Sequence, residues 1–301
     1  ILSAGAVKKI SVKEDGPLSV TFRIYYELPI PVRYHHRNMS RAAEDNMLRI
    51  TSDVTLNKGS RSVEIRTTVK NDSEDHAINL LMPSGAGRAQ SYFAHTPFDV
   101  TERRIALDRK TANWNEAEIT EKPFSGLFFV KDNKRGLAFI SGGGLHEGGV
   151  RDDAERTMTV VMLRSYRWNP GESKISEGLE LGERVYTYSL MPVNASVGVM
   201  NMFVRQQQLS APVLTRQSGQ FSSGFPKLTG QKTTDAGFMQ LTKNKTVLSS
   251  VKRSEDGKNL VVRIWNPSID TVQEELQSSG VIAGCKETDM KEDVVREIPF
   301  E

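Results

Sequence analysis

Residues 124–168 decide the fold of this chain, and they run FSGLFFVKDNKRGLAFISGGGLHEGGVRDDAERTMTVVMLRSYRW. Two short apolar segments, 126–131 and 136–141, flank a Lys-Asp-Asn-Lys-Arg-Gly turn, which is typical of a β-hairpin. A glycine-rich bend and several charged residues follow, and the apolar segment 157–165 predicts one more strand. The stretch contains no complete set of catalytic residues.

Alternation of apolar and polar residues continues on both sides of this stretch. From Leu18 to Leu28 every second residue is apolar, which is the period of a strand with one buried face. Further strands are predicted at 48–56, 63–69, 184–190, 246–253 and 259–265. Helical periodicity is weak, and it predicts only two short helices, at 39–48 and 194–208.

These patterns predict an all-β protein with a large super-sandwich followed by part of a smaller β-sandwich domain. Between residues 210 and 240 the alternation stops and the chain is rich in Gly, Ser, Thr and Gln. We therefore predict a large β-domain over 1–212, a linker or crossing loop over 213–237, and a smaller β-domain over 238–301.

Composition narrows the classes of function. The 301 residues are 38% hydrophobic and 26% charged, with a net charge of +3 and no basic stripe, so neither nucleic acid nor a membrane surface is expected as a partner. The start at Ile1 predicts a processed product or a piece of a longer chain. Cys285 is the only cysteine, which excludes an intramolecular disulfide and a cysteine-based zinc site. The compartment stays open, and the cytoplasm is expected only for a bacterial source.

The histidines do not predict a metal site. His35 and His36 are adjacent, and neighbours on an extended strand point to opposite faces, so they are not expected to bind one ion. His76 follows an acidic turn and is predicted to form local hydrogen bonds. His95 precedes a turn and is predicted to be structural.

The glycine-rich segment 142–149 offers the candidate binding residues. Its five glycines allow close backbone approach to a ligand, and His146, Glu147 and Arg151 carry groups that hydrogen-bond sugar hydroxyls. The alternative is a β-bulge or wide turn that needs only the glycines. Both interpretations stay open at this point.

No catalytic residue can be assigned. Glycoside hydrolysis needs two carboxylates at one scissile bond, and the nearest candidate pair is Glu147 with Asp152 or Asp153. No Gly-x-Ser-x-Gly elbow is present for nucleophilic hydrolysis.

The order of motifs resembles the C-terminal half of glycoside hydrolase family 38, the α-mannosidases, in particular the bacterial-type members that include mannosylglycerate hydrolase. The bend Gly144-Leu145-His146-Glu147 is similar to the family's Gly-Leu-Pro-Glu, with His in place of Pro, and it leads to a Met-Leu-Arg strand end at 162–164. Five more elements follow the family order: KEDGPLSVTFRI at 13–24, LNKGSRSVEIRTTVKNDSEDHAINLLMPSG at 56–85, AHTPFDVTERRI at 94–105, VYTYSLMPV at 185–193 and TVLSSVKRSEDGKNLVVRIWNPS at 246–268.

The resemblance implies that chemistry resides elsewhere. In the family an N-terminal α/β domain supplies the zinc ligands, an Asp nucleophile and an acid/base carboxylate for a retaining mechanism. This chain would then hold no cofactor, and its partners would be its own N-terminal catalytic domain and an α-mannoside. The β-region buttresses that domain and completes the sugar pocket, a role that would fall here to Glu147 or Arg151 beside His146.

Two other functions fit parts of the sequence. A free-standing carbohydrate-binding module would need an exposed aromatic platform, and Trp114, Trp168 and Trp265 are predicted to be core residues instead. A mutarotase-type enzyme would need a His acid and a Glu base, but His146 and Glu147 are neighbours that diverge on a strand. Mannoside linkage and oligomeric state are not predicted.

Overall fold

A computed structural model describes residues 6–167, 177–194, 197–215 and 237–300. Two compact units divide the chain, Ile1–Pro212 and Val213–Glu301. Most of the predicted linker 213–237 lies outside the described residues. The prediction of an all-β architecture is confirmed. In the described part of the chain, no helix has the length and apolar character needed to cross a membrane.

In its described residues the first unit contains fifteen strands and one α-helix, with 3₁₀ turns at Arg109–Asn113 and Glu177–Leu179. The helix α1 spans Val199–Ser210. The strands are β1 (Val7–Asp15), β2 (Ser19–Pro31), β3 (Tyr34–His35), β4 (Ser40–Arg41), β5 (Asp45–Asn57), β6 (Val63–Asn71), β7 (His76–Met82), β8 (Ser91–Thr96), β9 (Asp99–Arg104), β10 (Lys122–Pro123), β11 (Leu127–Lys131), β12 (Gly136–Ser141), β13 (Glu147–Val150), β14 (Met158–Ser165) and β15 (Gly182–Val193).

Two antiparallel sheets form the sandwich. The larger has nine strands in the order β1-β2-β5-β6-β15-β12-β11-β8-β9, and the smaller has four in the order β10-β13-β14-β7. A row of aromatic rings crosses the centre of the larger sheet, because adjacent strands place one ring each on its inner face. Ring centroids lie 6.2 Å apart for Tyr92 and Phe128, 5.7 Å for Phe128 and Phe139, and 5.4 Å for Phe139 and Tyr188. These buried rings join Val150, Met158 and Val160 of the smaller sheet in one core.

The hairpin predicted from residues 126–141 is confirmed as β11 and β12. Asp132 fixes its turn, because its Oδ1 accepts hydrogen bonds from the backbone N of Lys134 and Arg135, at 2.8 and 3.0 Å. Gly136 is required at the start of β12, since a Cβ there would lie 2.2 Å from the carbonyl oxygen of Val130. The strands predicted at 157–165 and 184–190 are also confirmed, as β14 and β15.

The helix predicted at 39–48 is wrong. The chain there forms β4 and the beginning of β5, which pairs with β2 over thirteen residues from Ser19↔Asn57 to Pro31↔Asp45. Local helix-forming residues such as Ala42, Ala43 and Glu44 are overridden because this long ladder satisfies the backbone and buries Leu48. The other predicted helix exists as α1, although it begins at Val199.

Helix α1 packs on the outer face of the larger sheet, against β11, β12 and β15. Its Met202 and Phe203 are each 1% exposed, and the strand residues not turned towards the core, Leu127 and Ile140, are fully buried. Arg205 links the helix to β6 through an ion pair with Glu64, at 2.7 Å. The centre of the larger sheet is therefore covered on both faces.

The described residues of the second unit form three two-stranded sheets: β16 (Met239–Leu241) with β19 (Leu276–Ser278), β17 (Val247–Arg253) with β18 (Leu260–Trp265), and β20 (Lys286–Thr288) with β21 (Val294–Glu297). The predicted strands 246–253 and 259–265 are confirmed as β17 and β18. Among the residues described in this unit, Val247 is the only buried large hydrophobic side chain.

Candidate functional site

The glycine-rich bend follows β12 and delivers the chain to β13. Gly143 and Gly144 have φ values of 126° and 76°, in the left-handed region that L side chains rarely adopt. A Cβ at Gly142 would lie 2.8 Å from the carbonyl oxygen of Thr187. Leu145 then anchors the bend in the core, with 2% of its surface exposed. Backbone geometry and packing thus explain these glycines.

The two glycines of β13 serve close backbone packing as well. A Cβ at Gly148 would lie 2.6 Å from the carbonyl oxygen of Thr159, and one at Gly149 would lie 2.0 Å from that of Thr120. The segment around Thr120 therefore lies directly on β13. The sequence predicted that a ligand could approach these glycines closely. At Gly148 and Gly149 the backbone of Thr159 and Thr120 occupies that space instead.

The three candidate sugar contacts lie along β13 rather than around one point. His146 is exposed, and its carbonyl oxygen accepts a hydrogen bond from Phe124 N at 2.8 Å. Glu147 begins the strand, half-buried, and Arg151 follows its end. Arg151 lies four positions after Glu147, which in an extended chain places it about 13 Å away on the same side of the strand.

Glu147 is held by a cation from the next strand. Its Oε1 accepts a hydrogen bond from Nη2 of Arg164, near the end of β14, and the two side chains form an ion pair. The ion pair therefore orients the carboxylate, and 24% of the side chain is still exposed. Such a group can accept hydrogen bonds from sugar hydroxyls.

The other two carboxylates of this region have separate partners. Asp152 forms an ion pair with Arg156. Oδ1 of Asp153 accepts a hydrogen bond from Thr157 N at 2.9 Å. Burial raises the pKa of Asp153, but hydrogen bonds led by the one from Thr157 outweigh it, and the net pKa lies below the ordinary value. The three carboxylates thus have three different partners: Arg164 for Glu147, Arg156 for Asp152 and Thr157 for Asp153.

A second polar cluster, which sequence analysis did not find, surrounds Asp75 at the start of β7. The side chain of Asp75 is 5% exposed. Its Oδ1 accepts a hydrogen bond from Arg167 N at 3.0 Å and lies 3.6 Å from Nε2 of His36. Its carbonyl oxygen accepts one from Nη1 of Arg41 at 2.6 Å, and Arg167 also pairs with Glu74. The cluster fastens the β3–β4 hairpin to the turn before β7.

The prediction that His76 forms local hydrogen bonds through its ring is wrong. Its two ring nitrogens are buried without hydrogen-bond partners in the described structure, so the local hydrogen bonds predicted for it are absent there. Burial, and secondarily the charge of Arg41, lower the pKa of His76, which keeps the ring neutral. His36 faces Asp75 through an ion-pair geometry.

Metal-binding side chains are not clustered in the described residues. No group of three or more His, Cys, Asp or Glu side chains there could hold a metal ion. The donor set in this part of the chain does not fit zinc.

The prediction that the tryptophans are core residues is wrong for Trp114. Trp114 is 66% exposed rather than part of a core, and Trp168 lies outside the described residues. Trp265 is half-buried and lines an open depression of about 530 Å³ in the second unit, together with Asn266, Asp270 and Glu274.

Glu274 lines this depression and is held in place by backbone hydrogen bonds. Its carboxylate accepts hydrogen bonds from the backbone N of Lys243, Lys245 and Thr246, at 2.9, 2.7 and 3.0 Å. Burial acts to raise the pKa of Glu274, but the hydrogen bonds from backbone N–H groups together have the larger effect and lower it to about 2. Glu274 therefore stays ionised near neutral pH.

Comparison with known structures assigns the fold to a class. The chain is similar to an α-mannosidase from Enterococcus faecalis V583, with 21% identity and a TM-score of 0.79, covering 95% of this chain and 32% of that chain. It is also similar to a protein in glycosyl hydrolase family 38 from Enterococcus faecalis, with 20% identity and a TM-score of 0.72, covering 97% and 35%. The β-sandwich is thus of the type that forms about a third of those proteins.

Sequence comparison then gives the family. Residues 2–171 match the model of the glycosyl hydrolases family 38 C-terminal domain, and the chain belongs to this family. A protein from Halalkalibacterium halodurans named "Putative mannosylglycerate hydrolase" is 22% identical over 303 residues, covering 95% of this chain and 32% of the relative. The chain spans about a third of the length of the relatives it matches.

Proposed function

We propose that this chain is the C-terminal, non-catalytic β-region of a longer α-mannosidase of family 38. In that protein it would buttress the catalytic domain and form one wall of the sugar pocket. The observation that carries the proposal is the match of residues 2–171 to the family's C-terminal domain, in a chain that spans a third of its relatives. The separately paired carboxylates near β13 support it, since a glycosidase needs two that face one bond.

Zinc belongs to the N-terminal catalytic domain in this proposal. When bound there, the metal would orient the substrate and stabilise charge at the reacting sugar. The contribution of this chain would be hydrogen bonds to hydroxyl groups, from Glu147 held by Arg164 or from Arg151 at the other end of β13. Exposed His146 would line the same wall.

Activity measurements on two proteins test the proposal. The 301-residue chain, assayed with an aryl α-mannoside and added zinc, is expected to give no turnover above background. The same chain produced with the polypeptide encoded upstream of it is expected to hydrolyse the mannoside and to lose activity with a chelator. Robust, chelator-sensitive turnover by the 301-residue chain alone would contradict the proposal, as would an inactive longer polypeptide.

A carbohydrate-binding function is the second candidate, and the depression beside Trp265 favours it. An aromatic ring with amide and carboxylate groups nearby is a common way to bind a sugar. Titration of the 301-residue chain with manno-oligosaccharides, followed by tryptophan fluorescence, tests this candidate. Saturable binding that is lost in Asn266→Ala but retained in Ser249→Ala, a change in neighbouring β17, would support it. An unchanged signal up to millimolar sugar would exclude it.

A further inference from the structure

The two faces of the larger sheet differ sharply where β1, β2 and β5 form its edge. Directly paired residues on neighbouring strands point to the same side, so the strand register assigns each row of side chains to one face. One row, on the outer face, is polar and comprises Ser11, Arg23, Asp53, Arg66 and Thr187. The adjacent row, on the inner face, is apolar or aromatic and comprises Val12, Phe22, Val54, Ile65 and Tyr188.

The apolar row becomes progressively uncovered towards the sheet edge. Tyr188 is 2% exposed in the core, whereas Phe22 is 45% and Val12 is 58% exposed. Neighbouring rows on the same face add Ile10 and Leu56, at 62% and 51%. We call the surface formed by Ile10, Val12, Phe22 and Leu56 the apolar edge face. Contiguous exposed apolar surface of this kind marks an interaction site.

The edge strand itself is protected against strand addition. β1 carries Lys8, Lys9 and Lys13, and its pairing with β2 has register shifts between Val7 and Lys9 and between Val12 and Glu14. Charged side chains and irregularities are the usual means by which a sheet edge resists further pairing. A partner of the apolar edge face is therefore expected to lie across the strands rather than to extend the sheet.

We propose that the apolar edge face docks the polypeptide that lies N-terminal to this region in a full-length family 38 protein. This inference rests on the function proposed above. The relatives are about three times as long as this chain, and the part matched here is the family's C-terminal domain. Any polypeptide preceding β1 enters the domain beside this face, because β1 carries Ile10 and Val12, two of its four residues.

The partner's chemistry follows from the face. A complementary surface presents aliphatic or aromatic side chains to Val12 and Phe22. Contacts between domains of one chain commonly bury about 600–1,500 Å². Covalent attachment close to the face raises the effective concentration of such a partner, so a modest surface is sufficient.

Hydrogen exchange measured on two proteins tests the docking. Peptides covering β1 are expected to exchange at least about tenfold more slowly in the longer polypeptide, which includes the upstream part, than in the 301-residue chain. Val12→Glu and Phe22→Glu are each expected to abolish that difference. Ser11→Glu is the matched control, because it places the same charge on the opposite face of β1, and it is expected to preserve the protection. In the 301-residue chain all three variants are expected to melt within about 3 °C of the parent.

The outcomes separate this inference from the proposed function. Equal exchange in both proteins, or glutamate variants that behave like Ser11→Glu, would overturn the docking even if the longer polypeptide hydrolyses mannosides. Slow exchange in a longer polypeptide without mannosidase activity would overturn the function and leave the docking. Dimerisation of the 301-residue chain that Val12→Glu abolishes would identify a second copy as the occupant and would also overturn the proposal.

Discussion

Arg23 on β2 donates two hydrogen bonds to the carboxylate of Asp53 on β5. Nε and Nη2 of Arg23 donate to Oδ1 and Oδ2 of Asp53 at 2.6 and 2.8 Å, and Lys13 on β1 donates a third bond at 2.7 Å. The Asp53 side chain is only 9% exposed. One carboxylate therefore ties together the three strands that form the edge of the larger sheet.

Replacing this carboxylate is expected to weaken the fold in a pH-dependent manner. The hydrogen bond from Arg23, with help from Lys13, lowers the pKa of Asp53 from 3.8 to about 2. A lowered pKa in the folded state stabilises the protein above the unfolded-state pKa, and that stabilisation is lost as the pH falls towards 2. Asp53→Asn is expected to lower the free energy of unfolding at neutral pH by about 1–2 kcal/mol, because the half-exposed cations are partly screened.

Urea unfolding of the parent and Asp53→Asn at a series of pH values checks this prediction. The difference between them is expected to be constant above about pH 5 and to shrink as the pH falls from about 5 to 2. Asp72→Asn, at a carboxylate that is 48% exposed, is the control and is expected to have little effect. A difference that does not vary down to pH 2 would show that the ionised carboxylate is not its cause.

Gly149→Ala is expected to be severely destabilising. The new Cβ would meet the backbone carbonyl oxygen of Thr120 at 2.0 Å, and backbone cannot give way as a flexible side chain can. A loss of about 3 kcal/mol or more in the free energy of unfolding is expected, measured by thermal or urea unfolding. Gly198→Ala is the control, since nothing lies within 4 Å of its Cβ position. Equal stability of the two variants would mean that Thr120 does not lie against β13.

Glu147→Gln tests the sugar-pocket wall in the longer polypeptide. If Glu147 accepts a hydrogen bond from substrate, neutralising it is expected to reduce kcat/KM for an α-mannoside by about tenfold, because bonds to charged groups are the stronger ones. The change also releases Arg164, its ion-pair partner. Asp152→Asn, at a carboxylate paired with Arg156, controls for a general loss of charge in this region. Unchanged kcat/KM in Glu147→Gln would remove this residue from the pocket.

Asp75→Asn is expected to loosen the β3–β4 hairpin. Asn tolerates the left-handed backbone of this position, where φ is 58°, so the change removes mainly the charge that faces Arg167 and His36. Limited trypsin digestion is expected to cleave after exposed Arg37 several-fold faster than in the parent. Asp72→Asn again serves as the control, and an unchanged cleavage rate would show that the cluster does not hold the hairpin.

Many of the strands could be predicted because apolar alternation and turn residues indicate them within a few neighbouring positions. The hairpin of β11 and β12 needs only a turn residue such as Asp132 between two apolar runs, and such signals act over a few residues. The segment 39–48 shows the limit. Its local preference for helix was overcome by pairing with residues of β2, which a single sequence does not reveal.

The candidate site could be predicted only in part. The glycine-rich bend was visible in the sequence, but the packing of Gly142, Gly148 and Gly149 against the backbone of Thr187, Thr159 and Thr120 was not. The cluster around Asp75 was not visible, because Arg167 is 92 residues away in the chain. No spacing rule connects residues that far apart.

By itself the sequence determined which side chains of one strand share a face, because the period of two fixes this within a strand such as Leu18 to Leu28. Only the tertiary structure decided which faces are covered. Burial depends on the second layer that packs on each strand, and that layer comes from distant parts of the chain. The same alternation thus buries Tyr188 and leaves Val12 open to a partner.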